Sequence, residues 1–173
     1  SELYMVDFYY TYFKEASQVS KQKYTVITGA SAGIGRATAN AFAQRGCNLI
    51  LVARRQEELE TLGQKLTAAF NIEVGVKPCD LSIPANVHNL YDDLRKFEIE
   101  TWINNAGFGD YSAIADQNLA KIETMLRLNV EALTVLSSLY VSDYENTEGA
   151  QLINLSSRGG YMIVPNAVTY CAT

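Results

Sequence analysis

Thr28-Gly29-Ala30-Ser31-Ala32-Gly33-Ile34-Gly35 sets three glycines at G-x-x-x-G-x-G spacing, after a β-branched run and before an amphipathic one. In that context a glycine-rich string is suited to holding phosphate. Gly29 permits a tight turn, Gly33 lets backbone approach a bulky anion, and Gly35 lets a helix pack close to a sheet. The free amides at the helix start, around Ile34, would then face a pyrophosphate. No lysine follows the last glycine, which argues against a P-loop. Further on, Val52-Ala53-Arg54-Arg55 ends a second apolar run with no acid before Glu57. In dinucleotide-binding folds an acid there takes the ribose 2′-hydroxyl, whereas arginine accommodates a 2′-phosphate and can hold it bidentately. The electrostatics predict NADP(H) in preference to NAD(H), with Arg54 the leading contact and Ser31 a second. Arg55 is either a further contact or a solvated residue at a helix start, and Arg36 either reaches phosphate or points to solvent.

The other reactive side chains form no second centre. His88 is the only histidine and falls on the outer stretch of a helical pattern, so neither a metal site nor a Ser-His pair is expected. Cys47, Cys79 and Cys171 are odd in number, far apart and without a C-x-x-C, which argues against a disulfide framework or a zinc knuckle and favours a reducing cytoplasm. Asp92, Asp93, Arg95 and Lys96 read as a charged helix face, and Trp102 as core.

Alternating strand and helix patterns must position the turn. Strands are expected at Tyr24–Thr28, Asn48–Ala53, Glu73–Lys77, Thr101–Asn104 and Gln151–Leu155. Helices are expected over Ile34–Arg45, Gln56–Ala69, a stretch marked by Ile83, Val87, Leu90 and Leu94 with Ser82 as N-cap and Pro84 in its first turn, and Leu119–Val141. In the last of these Ile122, Met125, Leu126, Val130, Leu133 and Leu136 make one apolar face. Residues 1–22 differ: Tyr4, Phe8 and Tyr12 recur at helical spacing in an aromatic extension, either an arm packed on its own domain, a contact with another copy, or a membrane-surface anchor.

Three further motifs give the glycine turn its setting. Asn104-Asn105-Ala106-Gly107 ends the fourth strand, Leu128-Asn129-Val130 lies in the long helix, and Ser157 stands thirteen residues before Tyr170. Together with TGASAGIG they resemble the short-chain dehydrogenase/reductase family over residues 23–173. The resemblance implies a Rossmann-type, doubly wound parallel sheet in a three-layer α/β/α fold, ordered 3-2-1-4-5-6-7. It implies hydride transfer between nicotinamide and a small-molecule carbonyl or alcohol. Tyr170 would be acid/base, Ser157 the hydroxyl that orients the substrate oxygen, and Asn129 the residue that fixes a proton-relay water. Asp80 and Leu81 would hold the adenine, while Asn105, Ala106 and Gly107 line the adenosine and nicotinamide side. Phe108–Tyr111 and Gly159–Met162 would border the nicotinamide end. The long helix resembles the element through which members pair into homodimers or homotetramers.

A tyrosine near its free pKa of about 10 is a poor base at neutral pH, so a cation must lower it. In the family that cation is a lysine four residues after the tyrosine, and it also holds the nicotinamide ribose. Tyr170-Cys171-Ala172-Thr173 stops one residue short of that position, with the last strands of the fold also absent. The sequence is therefore expected to be an incomplete portion of a reductase of roughly 250 residues, inactive by itself. The alternatives are a non-catalytic dinucleotide-binding module and an enzyme completed by another chain. At 173 residues, 48% hydrophobic and 19% charged, the composition fits one globular domain, with no disordered tail or membrane span. No basic start resembles a secretion signal, and a net charge of -5 without a basic patch excludes nucleic acid as a natural partner.

Overall fold

The computed structural model describes residues 22–162 and 164–173; the aromatic extension over residues 1–21 lies outside them. Five strands, β1 (Lys23–Thr28), β2 (Asn48–Ala53), β3 (Val74–Pro78), β4 (Glu98–Asn104) and β5 (Gln151–Asn154), form one parallel sheet in the order β3-β2-β1-β4-β5. This is the first five places of the expected order. Helices α1 (Gly33–Gln44), α2 (Gln56–Phe70) and α3 (Pro84–Leu94) make the crossovers. A longer helical rod follows as α4 (Leu119–Leu126), a π-helical turn (Arg127–Ala132) and α5 (Leu133–Tyr144); α6 (Val168–Cys171) carries Tyr170.

The central strands are apolar on both faces because both faces are covered. Val26 of β1 lies opposite Ile50 of β2 and Trp102 of β4. These pack with Val87, Leu90 and Leu94 of α3 and with Ala132, Leu136 and Tyr140 of the rod. Ile27, one residue on, faces the other way and joins Leu51, Ala39 and Ala43 of α1, and Leu59, Leu62 and Leu66 of α2. Trp102 is fully buried, its ring 5.4 Å from that of Tyr91 and 6.0 Å from that of Tyr140.

Three local expectations need correction. Ser82 is not the N-cap of α3: its N–H and hydroxyl both donate to Asp80 Oδ1, at 3.0 and 2.7 Å, and the helix starts after Ile83 with Pro84 at its first position. Proline's missing N–H removes one of the donors a cap would serve. β4 begins at Glu98, not Thr101, because the acidic residues at its start sit beside Lys23, which pairs with Glu100 at 2.8 Å. In the rod, Leu126 and Val130 are exposed. The inward stripe instead runs through Met125, Asn129, Ala132, Leu136 and Tyr140, so a polar residue takes the place that an apolar count gives to its neighbour.

Candidate nucleotide-binding and reaction site

The turn after β1 uses its glycines for two different reasons. Gly29 (φ 68°) has no room for a side chain: a Cβ would fall 2.8 Å from Asn105 Nδ2 and 2.9 Å from Ala106 Cα. A Cβ on Gly35 would collide with the Gly29 carbonyl oxygen and lie 2.5 Å from Asn105 Nδ2. Gly33 (φ 53°) meets nothing within 4 Å and faces open space at the start of α1. Two glycines thus close the turn on itself and the middle one keeps backbone available to a ligand. The atoms nearest to Gly35 belong to the turn itself and to Asn105, directly after β4.

Asn105 is what the turn closes on. Its Nδ2 donates to the Thr28 carbonyl at 2.9 Å, while the N–H groups of Asn105 and Ala106 donate to Thr28 Oγ1 at 2.9 and 3.0 Å. The second motif therefore locks the end of β4 to the end of β1. Nothing in the spacing revealed that role for Thr28. Asn104 is buried and accepts from Trp102 Nε1 at 2.9 Å while donating to Ser137 Oγ and Asn154 Oδ1 at 3.1 and 2.9 Å. This network ties β4, β5 and α5 together beneath the site.

A cleft of about 980 Å³ runs along the carboxyl ends of the strands, where the strand order reverses at β1. Gly29, Ser31, Gly33, Ile34, Arg54, Asp80, Leu81, Asn105, Ala106 and Gly107 all border it, as do Asn129, Ser157 and Tyr170. Of the residues expected to hold the cofactor, Gly35 stands behind the wall; of the two stretches expected to border the nicotinamide end, Phe108 and Gly160 line the cleft, whereas Gly109–Tyr111, Gly159, Tyr161 and Met162 do not. At the β2 end, Ser31 is buried and held from two sides. Arg55 NH2 donates to its Oγ at 2.9 Å, and the Arg36 guanidinium donates to its carbonyl oxygen at 3.1 and 2.5 Å. Arg36 is thus engaged with the turn, and Arg55, paired also with Glu58 at 3.6 Å, faces the cleft beside Arg54. Asp80 Oδ1 is occupied by Ser82 on the opposite wall.

At the other end, Asn129 sits in the π-helical turn and brackets Phe108: Oδ1 accepts from its N–H at 3.1 Å and Nδ2 donates to its carbonyl at 2.9 Å. A Cβ on Gly107 would come within 3.1 Å of Asn129 Oδ1, tight enough that the amide would have to shift by a few tenths of an ångström. Ser157 Oγ accepts from Gly159 N–H at 3.1 Å and caps the helical turn Arg158–Gly160. Tyr170 lies in α6 with its ring against Gly109 and 5.9 Å from that of Tyr111. Cys171 is a half-buried free thiol on the cleft wall, and His88 is on the exposed side of α3. No group of three or more metal-ligating side chains occurs among the described residues.

Asp110, within the Phe108–Tyr111 stretch, does not line the cleft itself, and its role there depends on Lys121, eleven positions away on another element. Its side chain is 8% exposed and pairs with Lys121 Nζ at 2.8 Å, while Ser112 donates to it through N–H and hydroxyl. The hydrogen bonds from Lys121 and Ser112 pull its pKa from 3.8 down to about 2. A carboxyl whose pKa is lower in the folded chain contributes stability above its unfolded value, and that contribution is lost as pH falls through the folded one. The stability gap between wild type and Asp110→Asn is therefore expected to be constant above about pH 4.5 and to close toward pH 2, as read by urea unfolding at stepped pH.

The strand order, the crevice at the carboxyl ends and the glycine turn define a Rossmann-type nucleotide-binding domain. Comparison narrows this. Residues 23–173 match the short chain dehydrogenase family, and the chain belongs to it. An uncharacterized oxidoreductase of Staphylococcus saprophyticus is 31% identical over 157 residues, covering 88% of this chain and 62% of that protein. The short-chain dehydrogenase of Sphingobium yanoikuyae, solved with NADPH, superposes with a TM-score of 0.82 at 32% identity, covering 87% of this chain and 59% of that one. The bulky-bulky ketone specific alcohol dehydrogenase of Comamonas testosteroni gives 0.82 at 30% identity, covering 86% and 60%. The chain thus spans about six-tenths of the length of these relatives. No helix among the described residues is long and apolar enough to cross a membrane.

Proposed function

We propose that this chain is the cofactor-binding and proton-transferring part of an NADP(H)-dependent reductase that interconverts a small-molecule carbonyl and its alcohol. The observation that carries this reading is one cleft lined both by the Gly33 cradle and by Ser157 and Tyr170. The residues fit a dinucleotide. Gly33 presents bare backbone at a helix N-terminus for a pyrophosphate, and Arg54 and Arg55 supply cationic forks where a ribose phosphate would lie. When bound, the nicotinamide supplies or accepts the hydride. Ser157 donates to the substrate oxygen and orients it, and Tyr170 gives its phenolic proton to that oxygen as the alcohol forms. In the reverse direction Tyr170 takes the proton back. In this reading Asn129 fixes the relay water, which its position in a π-helical turn, where the backbone departs from the regular helical ladder, supports.

Phe108 on the cleft wall and the Tyr111 ring beside Tyr170 support an apolar or ring-bearing substrate, in keeping with the ketone named for the Comamonas relative. The free thiols support a reducing, cytoplasmic setting, and exposed Leu119, Leu126 and Val141 on the rod support pairing of copies. The test is to continue the chain past Thr173 through the family's lysine and assay it with NADPH on a panel of bulky ketones and alcohols. Cofactor-dependent turnover is the expected result, and tight NADPH binding with no turnover of any compound would favour a non-catalytic binding module.

Arg54 carries the phosphate preference in this reading. A charge-assisted hydrogen bond contributes about 1.5–3 kcal/mol, so Arg54→Ala should weaken NADPH binding about 10- to 100-fold and leave NADH binding nearly unchanged. Equal loss for both cofactors in a calorimetric titration would count against it.

A further inference from the structure

We propose that residues 108–117 are a preset wall that holds the Tyr170 ring in place, and that Gln117 is the positioning residue that straps this wall to the tyrosine's own helix. The inference rests on the reading of Tyr170 as the proton-transferring group. The seat is Gly109. A Cβ there would fall 3.0 Å from Tyr170 Cγ and 3.1 Å from Cδ2, so the wall's backbone lies directly on the ring. Tyr111, two residues on, sets its ring 5.9 Å away at 54°. The ring can keep one orientation only if this stretch of backbone does.

The wall is pinned along its length. Asn129 brackets Phe108 through both backbone groups. Asp110 divides its carboxylate between Ser112 and Lys121, which fixes the wall's middle to the first turn of α4. Gln117 Nε2 donates to the Ser112 carbonyl at 2.9 Å, closing the far end on the middle. The remaining end of the Gln117 amide faces Tyr170's helix: Oε1 accepts from Thr169 Oγ1 at 2.5 Å. Thr169 and Tyr170 lie in the first turn of α6, where backbone N–H groups have no helical partner and the helix does not by itself fix its own start. On the other side of the tyrosine, Thr173 Oγ1 donates to the Tyr170 carbonyl at 2.9 Å and accepts from Asn129 Nδ2 at 2.9 Å. Tyr170 is therefore tied on both flanks to elements that also hold the wall, Thr169 through Gln117 and Thr173 through Asn129. Such a frame sets the ring before any ligand arrives, which lowers the cost of reaching the reacting geometry.

The test labels the chain with 3-fluorotyrosine and reads the fluorine resonances, with those of Tyr170 and Tyr111 assigned by Tyr170→Phe and Tyr111→Phe. Thr169→Val keeps the shape and removes the donor; Gln117→Ala removes the strap. Both should shift or broaden the Tyr170 resonance while the melting temperature and NADPH affinity stay near wild type, and Thr169→Ser should restore it. In the chain continued past Thr173, Thr169→Val should lower kcat by about 10- to 100-fold with the cofactor KM unchanged. A Tyr170 resonance indifferent to Thr169→Val and Gln117→Ala overturns the strap. A resonance that responds, in a protein whose turnover does not depend on the Tyr170 hydroxyl, upholds the strap and overturns the proposed reaction.

Discussion

Replacing Tyr170 by phenylalanine in the chain continued past Thr173 is expected to reduce turnover by about 10²- to 10⁴-fold, the range for loss of a general acid–base group. NADPH affinity should stay within about twofold of wild type, because the substitution removes one hydroxyl and keeps every ring contact. The ring would still rest on Gly109 and face Tyr111. Steady-state rates and a cofactor titration on the same preparations separate the two effects. Retention of more than a tenth of the wild-type rate would remove Tyr170 from the chemistry, and a parallel loss of cofactor binding would mean that the variant had disturbed the cleft.

The second large effect concerns the glycine turn and separates its two kinds of glycine. Gly35→Ala places a methyl group on the Gly29 carbonyl and on Asn105 Nδ2. Neither can yield cheaply, because the first is backbone and the second is committed to the Thr28 carbonyl. Overpacking of this kind costs about 1–3 kcal/mol when side chains can adjust and more when backbone must, so Gly35→Ala should lower the melting temperature by several degrees and abolish binding together. Gly33→Ala meets no neighbour within 4 Å and retains only the strain of a left-handed residue, about 1–2 kcal/mol. Its methyl instead enters the space where a pyrophosphate would approach. It should keep most of its stability and still lose NADPH affinity by about 100-fold. Thermal unfolding and titration of both variants give two distinct signatures, one of a broken turn and one of a blocked cradle.

These predictions rest on features with different visibility in the sequence. The strands themselves were legible, because strands buried on both faces are apolar, as in Asn48–Ala53, and a glycine turn before an amphipathic stretch marks the first crossover; their order was implied only by the resemblance to the family. Most of the site's residues were implied by that same resemblance, motif by motif; periodicity located the glycine turn between a strand and a helix, but it does not single out Asn129 in the middle of the rod, nor Ser157 and Tyr170. What was hidden depends on partners distant in sequence. Ser82 looks like a cap until Asp80 is seen to take its hydroxyl. The acidic start of β4 looks like a loop until Lys23, 77 positions earlier, lies beside Glu100. Val130 looks like core because Asn129, the residue facing inward, is polar and finds its partners on Phe108. Gln117 carries no pattern at all, since its meaning comes from Thr169, 52 positions later.

All of these features serve one claim, that the cleft along the strand ends is built for a phosphorylated nicotinamide dinucleotide. Calorimetric titration of the 23–173 domain, continued through the family's lysine, with NADPH and separately with NADH tests it most directly. The account predicts saturable one-to-one binding of NADPH that is at least about tenfold tighter than that of NADH. Tighter binding of NADH, or no saturable binding of either, would contradict it.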